Sequence, residues 1–124
     1  MAGTADSPVQ EVVRRPSHAV ITMTGELDLG GREHLRETLE RLLTEGCCRI
    51  VVDLRELTFC DSTGLGILVG ARKRANALGG WLRLTIPGTL HVRRVFAITG
   101  LTKLFLFFPD PQAAVADLSF TPAE

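Results

Sequence analysis

The sequence carries no net charge, with 14 Lys and Arg set against 14 Asp and Glu. Nothing therefore marks its whole surface as a binder of nucleic acid or of an anionic membrane. Lysine is scarce: Lys73 and Lys103 stand among bases that are otherwise arginine, a bias of composition rather than a functional signal. No apolar run is long enough to cross a bilayer, and the N-terminus lacks the charged-then-apolar order of a secretory signal. There is no Cys-x-x-Cys. Cys47 and Cys48 are neighbours, Cys60 is left over, and His18, His34 and His91 stand at no ligand spacing to them. These gaps argue against a disulfide framework and against a metal site. They fit reduced thiols in a cytoplasmic protein. Internal repeats and linkers are missing too.

What is present is the composition of an ordinary soluble domain, 124 residues with 45% hydrophobic and 23% charged. That length suits one core rather than two. Residues 1–8 are small and polar and are expected to form a disordered tail, leaving one domain over residues 9–120. Val9 to Arg15 and His18 to Thr24 read as a hairpin around Pro16-Ser17. Gly25-Glu26-Leu27-Asp28 reads as a loop, and a helix is expected from Arg32 to Glu45 with Leu35, Leu39, Leu42 and Leu43 on one face. A buried strand follows at Arg49 to Leu54, then a second helix from Ser62 to the Gly79-Gly80 stop. Trp81 to Ile86 alternates as a strand, Pro87-Gly88 opens a third helix, Leu104 to Phe108 is a fifth strand and Ala113 to Leu118 a last helix. Strands alternating with helices after a hairpin imply an α/β domain with a mixed sheet of about five strands and about four helices.

The most informative stretch is Phe59-Cys60-Asp61-Ser62-Thr63-Gly64-Leu65-Gly66, a strand exit running into a helix. Leu68, Ala71, Ala75 and Leu78 recur downstream at helical spacing. Asp, Ser and Thr there can each cap the helix, and the same end favours a phosphate. Ser62 is thus either a cap or a phosphorylation switch. A nucleophilic serine would need a base and flanking glycines two residues away on each side. Cys60 occupies the first of those positions and no signature links a histidine to Ser62, so a hydrolase is disfavoured. Gly66 and Gly70, one turn apart, make a flat strip for close packing or for a partner's backbone, with Leu65 and Val69 beside it as candidate exposed anchors. Glu26 and Asp28 are solvated or capping acids, or a pair placed for acid–base or metal work. His91, Arg93 and Arg94 read as an exposed helix face.

From Val9 to Leu118 the chain resembles the STAS domains of the anti-sigma factor antagonist family. The resemblance rests on Gly25-Glu26-Leu27-Asp28 after the second strand and Asp61-Ser62-Thr63-Gly64-Leu65-Gly66 after the third, supported by Gly79-Gly80 and Thr99-Gly100-Leu101. It implies a single STAS-like domain that is a cytoplasmic binding protein, without catalytic residues or cofactor. The implied partners are an anti-sigma factor of the GHKL serine kinase type and a serine phosphatase, with no direct nucleic acid and no membrane. The antagonist binds the anti-sigma factor and frees sigma factor, and phosphorylation at the position of Ser62 switches it off. Glu26, Asp28, Asp61, Ser62, Thr63, Gly64, Leu65, Gly66 and Val69 are the implied partner-binding residues. An alternative is a STAS scaffold or nucleotide-sensing subunit of a larger signalling or transport assembly, which has no need for the Ser62 hydroxyl. The pattern is broken twice. Gly31 stands where the family often has a hydroxyl cap, suggesting a weak cap on the first helix, and Cys60 replaces an aliphatic residue or Met, as a small buried thiol.

Overall fold

The computed structural model describes residues 10–118. The tail expected over residues 1–8, Val9 of the expected hairpin and the last residues of the expected domain lie outside them. The elements are β1 (Gln10–Arg14), β2 (Ala19–Glu26), α1 (Leu29–Thr44), β3 (Arg49–Phe59), α2 (Ser62–Ala77), β4 (Trp81–Thr85), α3 (Leu90–Ile98), a 3-10 turn (Leu101–Lys103), β5 (Phe107–Phe108) and α4 (Pro111–Ala116). The sheet order is β1-β2-β3-β4-β5, with an antiparallel hairpin and parallel pairing thereafter. The expected α/β domain with a five-stranded mixed sheet and four helices is what forms.

Each crossover steps one strand in the same direction, so right-handed connections place α1, α2 and α3 on one face. That face is apolar: Ile21, Met23, Ile50, Val52 and Leu84 are buried with Leu35, Leu39, Leu68, Val92 and Phe96 in one core. The short α4 packs on the other side against β3 and β4, where Asp53, Arg83 and Thr85 are buried. Asp53 accepts hydrogen bonds from Thr85 Oγ1 at 3.0 Å and from Arg55 Nε and Nη2 at 3.0 and 2.9 Å. Burial pushes this carboxyl up, but those bonds outweigh it and hold it below the ordinary carboxylate range. Arg83 Nη1 donates to the carbonyls of Ala114 and Asp117 at 2.8 and 2.7 Å, pinning the end of α4.

Several boundaries differ from expectation for traceable reasons. β3 continues past Leu54 to Phe59, and β2 continues through Gly25 and Glu26, which are therefore not loop residues. Each extension supplies the other's ladder partner, Gly25 opposite Leu57 and Glu26 opposite Phe59. α1 begins at Leu29 rather than Arg32, because Asp28 caps it. β5 shrinks to two residues because Phe105 turns into the core, edge-on to Phe96 with ring centroids 6.3 Å apart. Leu78 ends α2 as its C-cap and is exposed, as is Ile86 just beyond β4. At the entry to β4 a Cβ on Gly80 would lie 1.9 Å from the Cys48 carbonyl oxygen, so only glycine allows that approach.

Candidate functional site

β2 and β3 end side by side, joined by Leu27 N–H donating to the Phe59 carbonyl at 2.8 Å. Each then delivers a buried apolar residue, an aspartate and a helix. After β2 these are Leu27, Asp28 and α1; after β3 they are Cys60, Asp61 and α2. Both aspartates have extended backbone, and each accepts through Oδ1 from the third helical residue, Gly31 N or Gly64 N, at 2.9 Å. Each bond satisfies one of the donors a helix start leaves free, and each carboxylate faces the positive end of its helix. The weak cap expected from Gly31 is overturned: Gly31 is a donor inside the first turn, and Asp28 is the cap. Of the readings open to Glu26 and Asp28, capping is the one the structure bears out for Asp28. Among the described residues no group of three or more His, Cys, Asp or Glu could hold a metal ion.

At α2 the cap is Asp61, which removes the capping alternative for Ser62. Ser62 is the first residue of α2 and is exposed, as is Thr63. Immediately before Ser62 the chain is held from two sides. Arg32 Nη1 on α1 donates to Asp61 Oδ2 at 3.0 Å, with the arginine side chain only 18% exposed. His91 Nε2 on α3 lies 3.2 Å from the Cys60 carbonyl, and its ring stacks on Phe59 at 4.7 Å between centroids. Sequence reading missed both residues. In the sequence Arg32 reads as the helix start and His91 as part of a plain exposed face, and only the fold brings them to this segment.

The following turn divides the implied binding residues. Gly64 is buried, and a Cβ there would lie 2.8 Å from Leu27 Cδ2, so α2 seats against Leu27. Leu65 is fully buried, which corrects its assignment as an exposed anchor. It lies three residues before Leu68 and so joins that core stripe. Val69 is half-buried against the core. Gly66 and Gly70 are exposed, and a Cβ on either would meet nothing within 4 Å, so close packing within the chain does not explain them. They floor a groove of about 380 Å³ between α1 and α2, with Leu39, Leu43 and Ile67 on its walls. Arg36 and Arg74 rim it, each within 4.0 Å of Glu40.

Glu26 is exposed at the end of β2. Three large apolar side chains are exposed at this same end of the sheet: Leu29 (67%) opening α1, Phe59 (41%) closing β3 and Leu90 (62%) opening α3. Single exposed apolar residues mean little, but a group at one end of the sheet beside an exposed hydroxyl is a candidate contact surface. Cys60 is buried, and burial, then the Asp61 charge, pushes its thiol up to about 11, so it packs as a neutral apolar group. No helix among the described residues is long and apolar enough to cross a membrane.

Residues 11–107 match the family model described as "Mlab, STAS domain". The anti-sigma-B factor antagonist of Bacillus subtilis (strain 168) is 33% identical over 94 residues, 76% of this chain and 84% of that protein. The anti-sigma factor antagonist SpoIIAA in its unphosphorylated form superposes with a TM-score of 0.74 at 25% identity, covering 85% of this chain and 92% of that one. The phosphorylated form of SpoIIAA, a Bacillus cell fate determinant, superposes with a TM-score of 0.68 at 25% identity, covering 85% and 96%.

Proposed function

The chain belongs to the STAS domain family, and from that premise we propose that it is an anti-sigma factor antagonist switched off by phosphorylation of Ser62. One observation carries the reading. Asp61 performs the capping, so Ser62 stands exposed at the first position of α2 with no structural duty for its hydroxyl. The partner is an anti-sigma factor that is also a GHKL-type serine kinase, and a serine phosphatase reverses the modification in the cytoplasm. The partner lies against Glu26, Asp28 and the exposed start of α2, with Leu29, Phe59 and Leu90 as its apolar contacts. Gly66 and Val69 extend that surface, while Gly64 and Leu65 shape it from within. The protein itself is a regulator and supplies no catalytic group.

In the transfer, Ser62 Oγ forms a bond to the γ-phosphorus of ATP held by the kinase. The bond from that phosphorus to the β,γ-bridging oxygen breaks, ADP leaves, and the hydroxyl proton passes to a base on the kinase. The product carries a charge of about −1.5 to −2 beside Asp61. The positive end of α2 offsets that charge within the fold. A partner surface shaped for a neutral hydroxyl has no such compensation, so the complex is lost while the domain stays folded.

Incubation with a GHKL serine kinase from the same cell and ATP, followed by mass spectrometry, tests the assignment. Phosphate is expected on Ser62, is lost in Ser62→Ala and is retained in Thr63→Ala. Phosphate on Thr63 of the unmutated protein, or none at all, overturns it; a constitutive scaffold would take none.

A further inference from the structure

We infer that Arg32 and His91 are positioning residues that present the Ser62 hydroxyl in a single geometry for phosphoryl transfer, an inference that rests on the reading of Ser62 as the acceptor. The residues before Ser62 are fixed one after another by long-range bonds. The Phe59 carbonyl accepts from Leu27 N–H at 2.8 Å, the Cys60 carbonyl lies 3.2 Å from His91 Nε2, and Asp61 Oδ2 accepts from Arg32 Nη1 at 3.0 Å. Asp61 Oδ1 meanwhile holds Gly64 N–H at 2.9 Å, so one carboxylate joins α1 to the first turn of α2. These holds come from three different places, the residue that follows β2, α1 and α3, and they stop at Ser62, which is exposed.

Stability is a poor explanation for the pair of contacts. The Asp61 side chain is 46% exposed and His91 is exposed, so an ion pair and a hydrogen bond there are screened by water and contribute little to folding. Their geometric effect is larger. An acceptor that is already ordered needs no further freezing when the ATP γ-phosphorus of the kinase is brought in line, and that ordering is a rate term. In the transfer itself the Ser62 Oγ–P bond forms, the bond to the ADP oxygen breaks, and the hydroxyl proton goes to the kinase. Arg32 and His91 touch none of these atoms. They act through Asp61 and Cys60.

The test is phosphorylation kinetics of the full chain with a purified GHKL serine kinase from the same cell and ATP, for wild type, Arg32→Gln, Arg32→Lys and His91→Phe. The lysine keeps the charge, and the phenylalanine keeps the stacking on Phe59 while removing Nε2. Both Arg32→Gln and His91→Phe are expected to lower kcat about tenfold with KM for the protein substrate within about twofold. The thermal midpoint should scarcely move, and Arg32→Lys should restore most of the rate. The Gly64 amide, held by Asp61, should also exchange its hydrogen faster in Arg32→Gln without any kinase present. A labelled wild type whose variants keep kcat, or raise KM alone, overturns the positioning role, the second because it would mean direct contact with the kinase. A wild type that takes no phosphate on Ser62 strikes the acceptor reading itself, and the positioning role falls with it.

Discussion

The two junctions that open α1 and α2 are built alike and end differently. Leu27-Asp28-Leu29-Gly30-Gly31 and Cys60-Asp61-Ser62-Thr63-Gly64 each run from a buried apolar residue to a capping aspartate, two exposed helical residues and a buried glycine. The cap distance is 2.9 Å in both. At the first helical position, however, one junction shows an exposed Leu29 and the other an exposed Ser62. Arg32, at the start of α1, reaches across to Asp61. The shared part is what any strand-to-helix turn needs: a satisfied N–H, a charge matched to the helix dipole, and a buried anchor. The part that differs is where the proposed function lies, an exposed apolar side chain on one side and an exposed hydroxyl on a braced segment on the other.

Exchanging the first helical residues breaks the comparison most severely. Ser62→Leu should fold, since Leu29 is tolerated at the matching position with 67% exposure, and should lose all phosphate incorporation. Leu29→Ser should fold and gain none at position 29. Phosphate mapped there by mass spectrometry would mean that the junction geometry alone makes an acceptor.

Removing the caps comes next. Asp28→Ala should lower stability in a denaturant titration by about 1 kcal/mol, the usual worth of an N-cap. Asp61→Ala should cost about the same, about 1 kcal/mol, because its ion pair with Arg32 is half in water and adds little. A clearly larger loss at Asp61 would show that the Arg32 contact serves folding rather than the positioning of Ser62. Asp28→Asn keeps a good cap, so it should leave the thermal midpoint nearly unchanged while weakening partner binding. A loss of stability with full binding would make Asp28 purely structural.

Much of this was legible in the sequence, and what was not has physical causes. Asp61 as a helix start, the β-hairpin and the succession of strands and helices follow from local pattern, because period and cap chemistry are local. Asp28 was readable as a capping acid, but the start of α1 at Leu29 was hidden because Gly25-Glu26-Leu27-Asp28 looks like a loop. Gly25 has φ of +79°, unusual in a strand, and is carried there only by pairing with Leu57. The charged Arg55-Glu56 pair masked the run of β3 to Phe59 in the same way, since its ladder partner lies in another strand. Leu65 was readable: its spacing from Leu68 and from Ala75 puts it on the core stripe. Arg32 and His91 were not, because their partners lie 29 and 31 residues away in the chain.

Smaller effects sharpen the contrast along α2. Gly66→Ala and Gly70→Ala place a methyl in open space. Each should stabilise the helix, by up to about 1 kcal/mol, yet weaken binding to the anti-sigma partner if that strip lies against it. Stabilisation with unchanged affinity would remove the strip from the interface. Smaller still is the difference between Leu27 and Cys60. With its thiol pushed up to about 11, Cys60 should resist a thiol-labelling reagent at neutral pH until the protein unfolds, while the half-buried Cys47 and Cys48 react first. Fast labelling of Cys60 in the native protein would mean that its slot opens.

The most direct measurement is a calorimetric titration of Ser62→Asp into the anti-sigma kinase beside the unmutated protein. The added carboxylate meets the positive end of α2, which favours it by about 0.3–1 kcal/mol, so the circular-dichroism spectrum should be native. Desolvating an unpaired charge in the interface costs several kcal/mol, roughly a hundredfold or more in affinity. A folded protein that no longer binds is the predicted result. Wild-type affinity in the folded mutant would contradict the switch at Ser62.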